Sequence, residues 1–346
     1  MSQAVVLYAT TLLVYAGVDI MACWGLNLQF GVTGIYNFAF IIFQAAGAYT
    51  TGVLTLGPDT ANGGFQHYIF GSTWPFPLPI LMGGVVAGVL SLLIGLVTLR
   101  RLRSDYQAMV MLVLAVIATL VAENLATFVN GDSGLALIPQ PLSNQITSVT
   151  GYQWWFVAFT AFACLVVYFF VRRITSAPLG RALRAVRDHE YAAAALGKNV
   201  ASLRLFSFVA GGVIAGISGG ILVSFITAWS PGSWLYVETL VLLTAVIVGG
   251  MGNNFGVMLG AMLVPVAFNE ITRYLPQFGR PGLSDAFQWI VIGSLSMGFL
   301  WFRPQGIVPE RRRKYKPPAE LGVGATGAVG PGAGGPEPAT VPDGRL

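Results

Sequence analysis

Residues 205–228 read LFSFVAGGVIAGISGGILVSFITA, a run without a single charged side chain. A helix needs roughly 20 apolar residues to cross a hydrocarbon core about 30 Å thick, because each residue adds only about 1.5 Å of rise. Small residues recur along the run at helical spacing, which lets helix backbones approach closely. They are Gly211, Gly212, Ala215, Gly216, Gly219 and Gly220. The run therefore predicts a membrane-spanning helix that packs against other helices.

Seven further apolar stretches meet or approach the same length. They are Ala4 to Leu26, Gly34 to Leu56, Pro77 to Leu99, Tyr106 to Val129, Gln153 to Val171, Thr239 to Phe268 and Ala286 to Phe302. A second ladder of small residues comprises Gly83, Gly84, Ala87 and Gly88. Asp19 and Glu123 are the only charged residues inside the eight stretches. The sequence predicts an all-α, polytopic transmembrane helix bundle of about eight spans, or eight to ten counting short or re-entrant helices.

Composition excludes a water-soluble enzyme, because only 10% of the residues are charged, against about 25% in a soluble domain. The chain contains no GxxxxGK[ST] phosphate loop, so it is not expected to hydrolyse ATP itself. His67 and His189 fall in loops predicted on opposite sides of the membrane and therefore cannot share a metal. We expect no enzymatic activity, no metal, no cofactor and no nucleic-acid partner.

Positive charges fall in three clusters that together hold 17 of the 19 Lys and Arg residues. The clusters are Arg100 to Arg103, Arg172 to Arg204, and Arg303 to the C-terminus. Because cytoplasmic loops are enriched in Lys and Arg, the N-terminus is predicted outside and the C-terminus in the cytoplasm. Loops 57–76 and 130–152, which are then external, contain neither residue type.

Residues 239–268 must start and finish outside in this topology, yet two full spans need roughly 40 residues. Gly and Asn interrupt the stretch in GGMGNNFG at 249–256, and such residues break helices. We predict two short helices that meet at this turn, either as a re-entrant hairpin or as two abbreviated spans. One long tilted helix is the alternative.

The longest cytoplasmic loop, 172–204, has the pattern of an uninterrupted helix that starts at Pro178 and stops at Gly197, with Thr175 or Ser176 as its cap. One face carries Leu179, Leu183, Val186 and Ala193, beside a stripe of Arg181, Arg184 and Arg187. Three roles fit this amphipathic helix. In the first, its arginines only fix the topology of the chain. In the second, the helix lies on anionic lipid, and in the third it inserts into a groove of a cytoplasmic partner.

Polar side chains inside an apolar bundle are candidates for a solute pathway, because amides offer hydrogen bonds without a full charge. The candidates for the translocation path are Asn27, Gln29, Asn37, Gln44, Glu123, Asn124, Asn253 and Asn254. The alternative for each amide is an interhelical hydrogen bond, worth about 0.6 to 2 kcal/mol.

Four blocks resemble, in order, the LivM branch of the permeases of branched-chain amino acid ABC transporters. They are GLNLQFGVTGIYNFAFIIFQAAGAYT at 25–50, SDYQAMVMLVLAVIATLVAENL at 104–125, GRALRAVRDHEYAAAALGKNV at 180–200 and VGGMGNNFGVMLGAML at 248–263. The resemblance covers residues 10 to 305. It implies the permease fold of an ABC importer in a bacterial inner membrane, which forms the translocation path for branched-chain or related amino acids.

The resemblance also implies partners, namely cytoplasmic ATPase subunits that hydrolyse ATP, a second related permease, and a periplasmic or lipid-anchored amino-acid-binding protein. The third block is similar to the family's coupling segment, which docks in an ATPase groove. Its candidate ATPase-coupling residues are Gly180, Arg181, Arg184, Arg187, Glu190, Ala192, Ala193 and Gly197. Gly197 follows Glu190 by seven residues, whereas the family pattern has six, so the register departs from the family there.

Composition changes after the last apolar stretch. The C-terminal residues are first basic and then rich in Pro and Gly, which is typical of disorder. We predict a transmembrane permease domain over 4–305, which includes the coupling segment 172–204, and a disordered cytoplasmic tail over 306–346.

Two other classes of function stay open at this point. An ion-coupled secondary amino acid transporter would use Asp19 and Glu123 to move the ion, and it would need no ATPase. A structural subunit without a pore of its own would need none of the buried amides.

Overall fold

The computed structural model describes residues 3–58, 66–101, 104–143, 146, 148–268, 283–303 and 305–310. These residues form twelve α-helices, and the described ranges contain no extended strand. The helices are α1 (Gln3–Asn27), α2 (Phe40–Leu56), α3 (Leu78–Arg101), α4 (Ser104–Asn124), α5 (Ala126–Val129), α6 (Val149–Ser176), α7 (Pro178–Asp188), α8 (Glu190–Ala195), α9 (Val200–Ile226), α10 (Tyr236–Gly249), α11 (Asn254–Ala261) and α12 (Leu283–Phe302).

Six helical segments in the described ranges are long and apolar enough to cross a membrane. They are Gln3–Val32, Leu78–Leu99, Tyr106–Asn124, Val149–Ser176, Val200–Ile226 and Pro231–Gly249. Three shorter apolar helices add to them, at Phe40–Leu56, Asn254–Val266 and Ile290–Phe302. The predicted all-α, polytopic bundle is therefore confirmed.

Helix α9 packs closely against α1, α2 and α3 through small residues. A Cβ atom at Gly212 would lie 2.6 Å from Cβ of Ser91, and one at Gly25 would lie 2.9 Å from the carbonyl oxygen of Gly211. Real carbon atoms do not approach so closely, so these contacts require glycine. The predicted small-residue ladders are thus the surfaces through which the central helices meet.

The Gly/Asn turn reverses the chain, so the alternative of one long tilted helix is wrong. Helices α10 and α11 run antiparallel, and a Cβ at Gly260 would lie 2.8 Å from Cα of Gly249. Gly250 and Gly252 turn the chain with φ of 116° and 80°. Asn253 then caps α11, because its Oδ1 accepts from the backbone N–H of Phe255 over 3.1 Å. We call residues 236–261 the glycine hairpin.

The second predicted span is helical over only part of its length. Residues 34–39 are non-helical, and α2 begins at Phe40 rather than at Gly34. The side chain of Asn37 accepts from the backbone N–H of Ala39 over 3.0 Å, a local bond that competes with helix formation. The backbone N–H of Ile41 bonds the hydroxyl of Thr239 over 3.2 Å instead of a carbonyl of its own helix.

The two ends of the bundle differ in character. The basic end carries α7, α8 and residues 305–310. The opposite end carries residues 66–77, 130–142 and 227–235, where the backbones of Leu135 and Trp229 exchange hydrogen bonds of 2.8 and 2.7 Å. A cavity of about 440 Å³ opens at this end between the residues that precede α3 and the loop at 139–142.

Candidate coupling and translocation site

Residues 178–197 form two short helices rather than the single uninterrupted helix that was predicted. Pro178 is the first residue of α7, and the residue before it, Ala177, makes no side-chain cap. The predicted cap by Thr175 or Ser176 is wrong, because both residues belong to the end of α6. The chain breaks at His189, which has φ −151° and ψ 93°. Helix α8 begins at Glu190.

The break at His189 directs the chain toward α9. Oε1 of Glu190 accepts from a guanidinium nitrogen of Arg204 on α9 over 3.2 Å. Gly197 follows the end of α8 and has a left-handed φ of 76°, as predicted for the residue at which the helix stops. Asn199 then caps α9 by accepting from the backbone N–H of Ser202 over 3.1 Å.

The predicted coupling segment has a buried face and an exposed face. Leu183, Val186 and Ala193 are buried, and Leu183 belongs to the same cluster of buried side chains as Leu28 and Ile174 of the bundle. On the other face Tyr191 is 91% exposed and Leu196 is 80% exposed. Of the remaining predicted coupling residues, Gly180 is buried against the end of α6, whereas Arg181 and Ala192 are exposed.

Arg184 and Arg187 meet a carboxylate that comes from beyond α12. Oε1 of Glu310 accepts from Nε of Arg184 over 2.6 Å, and its Oε2 accepts from a guanidinium nitrogen of Arg187 over 2.9 Å. Arg187 also donates to the carbonyl oxygen of Gly31. Burial alone would lower the pKa of Arg187, but the hydrogen bonds and charges of Glu310 and Asp188 hold that pKa above its ordinary value.

Two predicted path amides join the end of α1 to the glycine hairpin. The amide nitrogen of Asn27 donates to Oδ1 of Asn254 over 3.3 Å, and Oδ1 of Asn27 accepts from the backbone N–H of Gly252 over 2.9 Å. Asn254 in turn donates to the hydroxyl of Thr175 at the end of α6 over 3.2 Å. The structure thus brings these amides together at the basic end.

A second pair of amides lies between α1 and α9. Gln29 donates to the carbonyl oxygen of Phe208 over 2.8 Å, and Asn37 donates to Oε1 of Gln29 over 2.8 Å. Both side chains are fully buried. Gln44, on α2, is also buried, but its side chain makes no hydrogen bond within the described ranges.

The other predicted path residues do not join these amides. Asn253 caps α11 and donates to the carbonyl oxygen of Pro309 over 3.2 Å. Glu123 and Asn124 lie at the end of α4, where Asn124 is exposed and bonds the carbonyl oxygen of Leu120 in its own helix over 2.8 Å. Asp19 lies within α1 and Glu123 at the end of α4, so the two acidic residues belong to different helices. In the part of the chain that the structure describes, no three His, Cys, Asp or Glu side chains are grouped to hold a metal ion.

Comparison with known proteins identifies the class of this bundle. A family model described as "Branched-chain amino acid transport system / permease component" matches residues 8–295. The chain belongs to this family. No solved structure matches the chain.

Members of the family with curated names include both LivM and LivH proteins. The high-affinity branched-chain amino acid transport system permease protein LivM of Escherichia coli (strain K12) is 29% identical over 91% of this chain and 72% of its own length. The probable LivM permease protein of Methanocaldococcus jannaschii is 25% identical, over 87% of this chain and 93% of its own. The LivH protein of Escherichia coli (strain K12) is 23% identical, over 80% of this chain and 89% of its own.

Sequence reasoning missed several residues of the site in this family member. Glu310 falls inside the predicted tail, 306–346, yet it contacts arginines more than 120 residues away. The hydroxyls of Thr33 and Ser207 bond each other over 2.7 Å between the end of α1 and α9, and no pattern pointed to them. Tyr191 was missed as well, although the sequence offers a signal for it, namely an aromatic residue outside the apolar stripe of a basic loop.

Proposed function

We propose that the chain is the membrane-spanning permease subunit of an ATP-binding cassette importer for branched-chain or related amino acids. It pairs with a second related permease, binds cytoplasmic ATPase subunits that hydrolyse the ATP, and receives its solute from a periplasmic or lipid-anchored binding protein. The names of the LivM and LivH relatives support the solute class and the pairing of two permeases.

The observation that carries the proposal is the two-faced coupling segment at the basic end. Its buried face is anchored to the bundle through Leu183 and Val186. Its exposed face presents Tyr191 and Leu196, large apolar side chains on a surface that also carries arginine. Aromatic side chains of this kind are typical anchors of protein interfaces, and a groove on an ATPase subunit is the proposed receptor.

The basic end faces the cytoplasm in this proposal, within a bacterial inner membrane. The positive-inside rule supports it, because α7 to α9 carry a cluster of arginines, whereas the external loops 57–76 and 130–152 contain no Lys or Arg. Helix α1 ends beside this cluster at Asn27, so its first residue, Gln3, lies outside. Of the predicted tail, 306–346, residues 311–346 lie outside the described residues, and we propose a cytoplasmic location for them on the same rule.

The translocation path is proposed to pass the buried amides at the basic half of the bundle. Non-helical backbone at 34–39 and at 250–253 flanks these amides, and such backbone is tolerated at membrane depth only where protein or a watery cavity satisfies it. The proposed lining residues are Asn27, Gln29, Asn37, Gln44, Asn253 and Asn254. Glu123 and Asn124 are proposed to lie at the external mouth, at the end of α4.

Reconstitution tests the proposal directly. The chain is placed in proteoliposomes together with its second permease, ATPase and binding-protein partners, and uptake of radiolabelled leucine is measured. We expect uptake to require ATP on the ATPase side and to persist when a protonophore collapses the proton gradient. Uptake that follows an ion gradient without ATP would contradict the proposal and favour the ion-coupled carrier, which family membership does not support.

A further inference from the structure

Residues 305–310, which we call the strap, run along the turn of the glycine hairpin. The backbone N–H groups of Ile307 and Val308 donate to the carbonyl oxygens of Val248 and Gly249 over 2.8 and 3.2 Å. Asn253 fixes the strap from the hairpin side through its amide, which donates to two strap carbonyls. The strap is therefore attached to the end of α10 by backbone bonds that do not depend on any charged group.

Glu310, the last residue of the strap, reaches across to α7. Its two carboxylate oxygens accept separately from Arg184 and Arg187, over 2.6 and 2.9 Å. The side chain of Glu310 is 17% exposed, and the side chains of Arg184 and Arg187 are 30% and 20% exposed. Partly buried, charge-assisted bonds of this kind are shorter and stronger than neutral ones, so the connection is geometrically specific.

The same ion cluster rests directly on the hairpin turn. A Cβ at Gly252 would lie 2.9 Å from Oε2 of Glu310 and 3.2 Å from a guanidinium nitrogen of Arg187. The backbone N–H of Gly252 bonds Asn27 at the end of α1. One carboxylate thus links the coupling helix, the hairpin turn and the amide pair of the proposed path.

The other ion pairs that the structure describes do not make this link. Arg187 and Asp188 pair within α7 over 3.2 Å, and Glu190 pairs with Arg204 on α9 over 3.2 Å. Without Glu310, the two arginines would stand three residues apart on one helix, where like charges repel. Loss of this carboxylate would leave α7 attached to the bundle by its apolar face and by the bonds of Arg187 to Gly31 and of Arg184 to Thr175, but it would remove the ion pairs that connect α7 to the strap.

We infer that Glu310 is a positioning residue for transport, which transmits the displacement of α7 to the glycine hairpin and to the amides beside it. The inference rests on the proposed function, because it needs a partner that moves α7. A displacement carried by hydrogen-bonded contacts requires a stiff connection at each step. The strap supplies one of these connections through the backbone, and Glu310 supplies the other through its two ion pairs.

The test compares Glu310→Gln with the wild type in the complete reconstituted complex. ATP hydrolysis and uptake of radiolabelled leucine are measured in the same proteoliposomes and normalised to inserted protein. We expect leucine transported per ATP to fall at least about fivefold, the usual lower range for coupling between two sites, while ATP hydrolysis continues. Glu310→Asp keeps the charge, and we expect it to retain a larger share of the coupling ratio.

Asp132→Asn is the matched control, because it removes one negative charge from an exposed residue at the opposite end. It is expected to leave the ratio of leucine to ATP unchanged. Equal losses of hydrolysis and uptake in Glu310→Gln, or loss of the inserted protein, would overturn the inference, because Glu310 would then serve only the fold. An unchanged ratio would overturn it as well. Absence of ATP-driven uptake in the wild-type complex would instead overturn the proposed function itself.

Discussion

Asn27, at the last residue of α1, donates its side-chain amide to Oδ1 of Asn254, at the first residue of α11, over 3.3 Å. The two residues are far apart in sequence and belong to two different blocks of family resemblance. Their bond holds the end of α1 against the turn of the glycine hairpin, next to the arginines of the coupling segment. The contact joins the proposed path to the machinery that is proposed to move it.

Replacement of Asn27 by Leu is expected to destabilise the protein. It removes the acceptor of the Gly252 N–H and the donor to Asn254 in a fully buried place. Buried polar groups left unpaired cost about 1–3 kcal/mol each, so the thermal midpoint of the purified protein in detergent should fall. Asn124→Leu is the control for stability, because Asn124 is exposed and bonds only within α4. Equal midpoints for the two variants would contradict the structural role of Asn27.

Replacement of Gly216 by Ala tests the packing of α9. The added Cβ would lie 2.7 Å from the carbonyl oxygen of Gly83 on α3, so the helices would have to separate. Overpacking of this kind costs about 1–3 kcal/mol, which a thermal melt or loss of the monodisperse peak in size-exclusion chromatography would reveal. Gly293→Ala makes the same chemical change where nothing lies within 4 Å, and its stability should match that of the wild type. A stable Gly216→Ala protein would show that the helices have room to spare.

The packing of α9 was predictable because small-residue ladders repeat at helical spacing and can be read directly from the sequence. The reversal at 250–253 was predictable for a related reason, since Gly and Asn break helices wherever they cluster. The positions of the long apolar helices also followed, because apolar length is a local property. These features depend on residues that are neighbours in sequence.

The late start of α2 and the role of Glu310 were not predictable in this way. The composition of a short run such as 34–39 does not distinguish a helical from an extended conformation. The start of α2 depends on hydrogen bonds from the side chain of Asn37 and from Thr239 of a distant helix. Glu310 finds its partners only after α7 and α12 have been placed by the fold. The break at His189 was not predictable either, and the residue after it, Glu190, contacts Arg204 of α9, a partner that the local sequence does not reveal.

Glu190→Lys is expected to abolish ATP-driven uptake while the protein still inserts in the membrane. The change reverses the charge that faces Arg204 over 3.2 Å and should displace α8 with its exposed residues. Glu190 is 42% exposed, and partly exposed pairs contribute about 0–1 kcal/mol to stability. Uptake and the thermal midpoint are measured together, with Asp132→Lys as an equal charge reversal at the opposite end. Unimpaired uptake by Glu190→Lys would reject the coupling role of α8.

Tyr191→Ala is expected to weaken binding of the ATPase subunit without unfolding the permease. Its side chain is 91% exposed in the isolated chain, so its removal costs the fold little. Aromatic anchors at interfaces contribute about 2 kcal/mol or more, which corresponds to roughly a thirtyfold rise in Kd. Titration of purified ATPase onto the permease in nanodiscs measures this change. The control is Phe70→Ala, an 83% exposed aromatic at the opposite end, and equal Kd values for the two variants would remove Tyr191 from the docking surface.

Gln44→Leu separates a solute contact from a structural hydrogen bond. Gln44 is only 4% exposed, yet its side chain makes no hydrogen bond within the described residues. The amide atoms of Gln44 are not among the fully buried, unpaired polar atoms of the described residues, so no hydrogen bond is lost when Leu replaces it, and the thermal midpoint should stay nearly unchanged. This behaviour differs from that expected for Asn27→Leu, whose amide is fully bonded.

Gln44→Leu is expected to impair transport even though it does not destabilise the fold. If the amide faces the moving solute, its loss raises the KM for uptake of leucine presented on the binding protein, while Gln44→Asn, which keeps the amide, preserves part of the activity. A single lost hydrogen bond of about 0.5–1.5 kcal/mol predicts roughly a two- to tenfold change in KM. An unchanged KM together with an unchanged midpoint would take Gln44 out of the path. Asn27, Gln29 and Asn254 each have a protein partner already, so the interhelical hydrogen bond would then be the better-supported role for these amides.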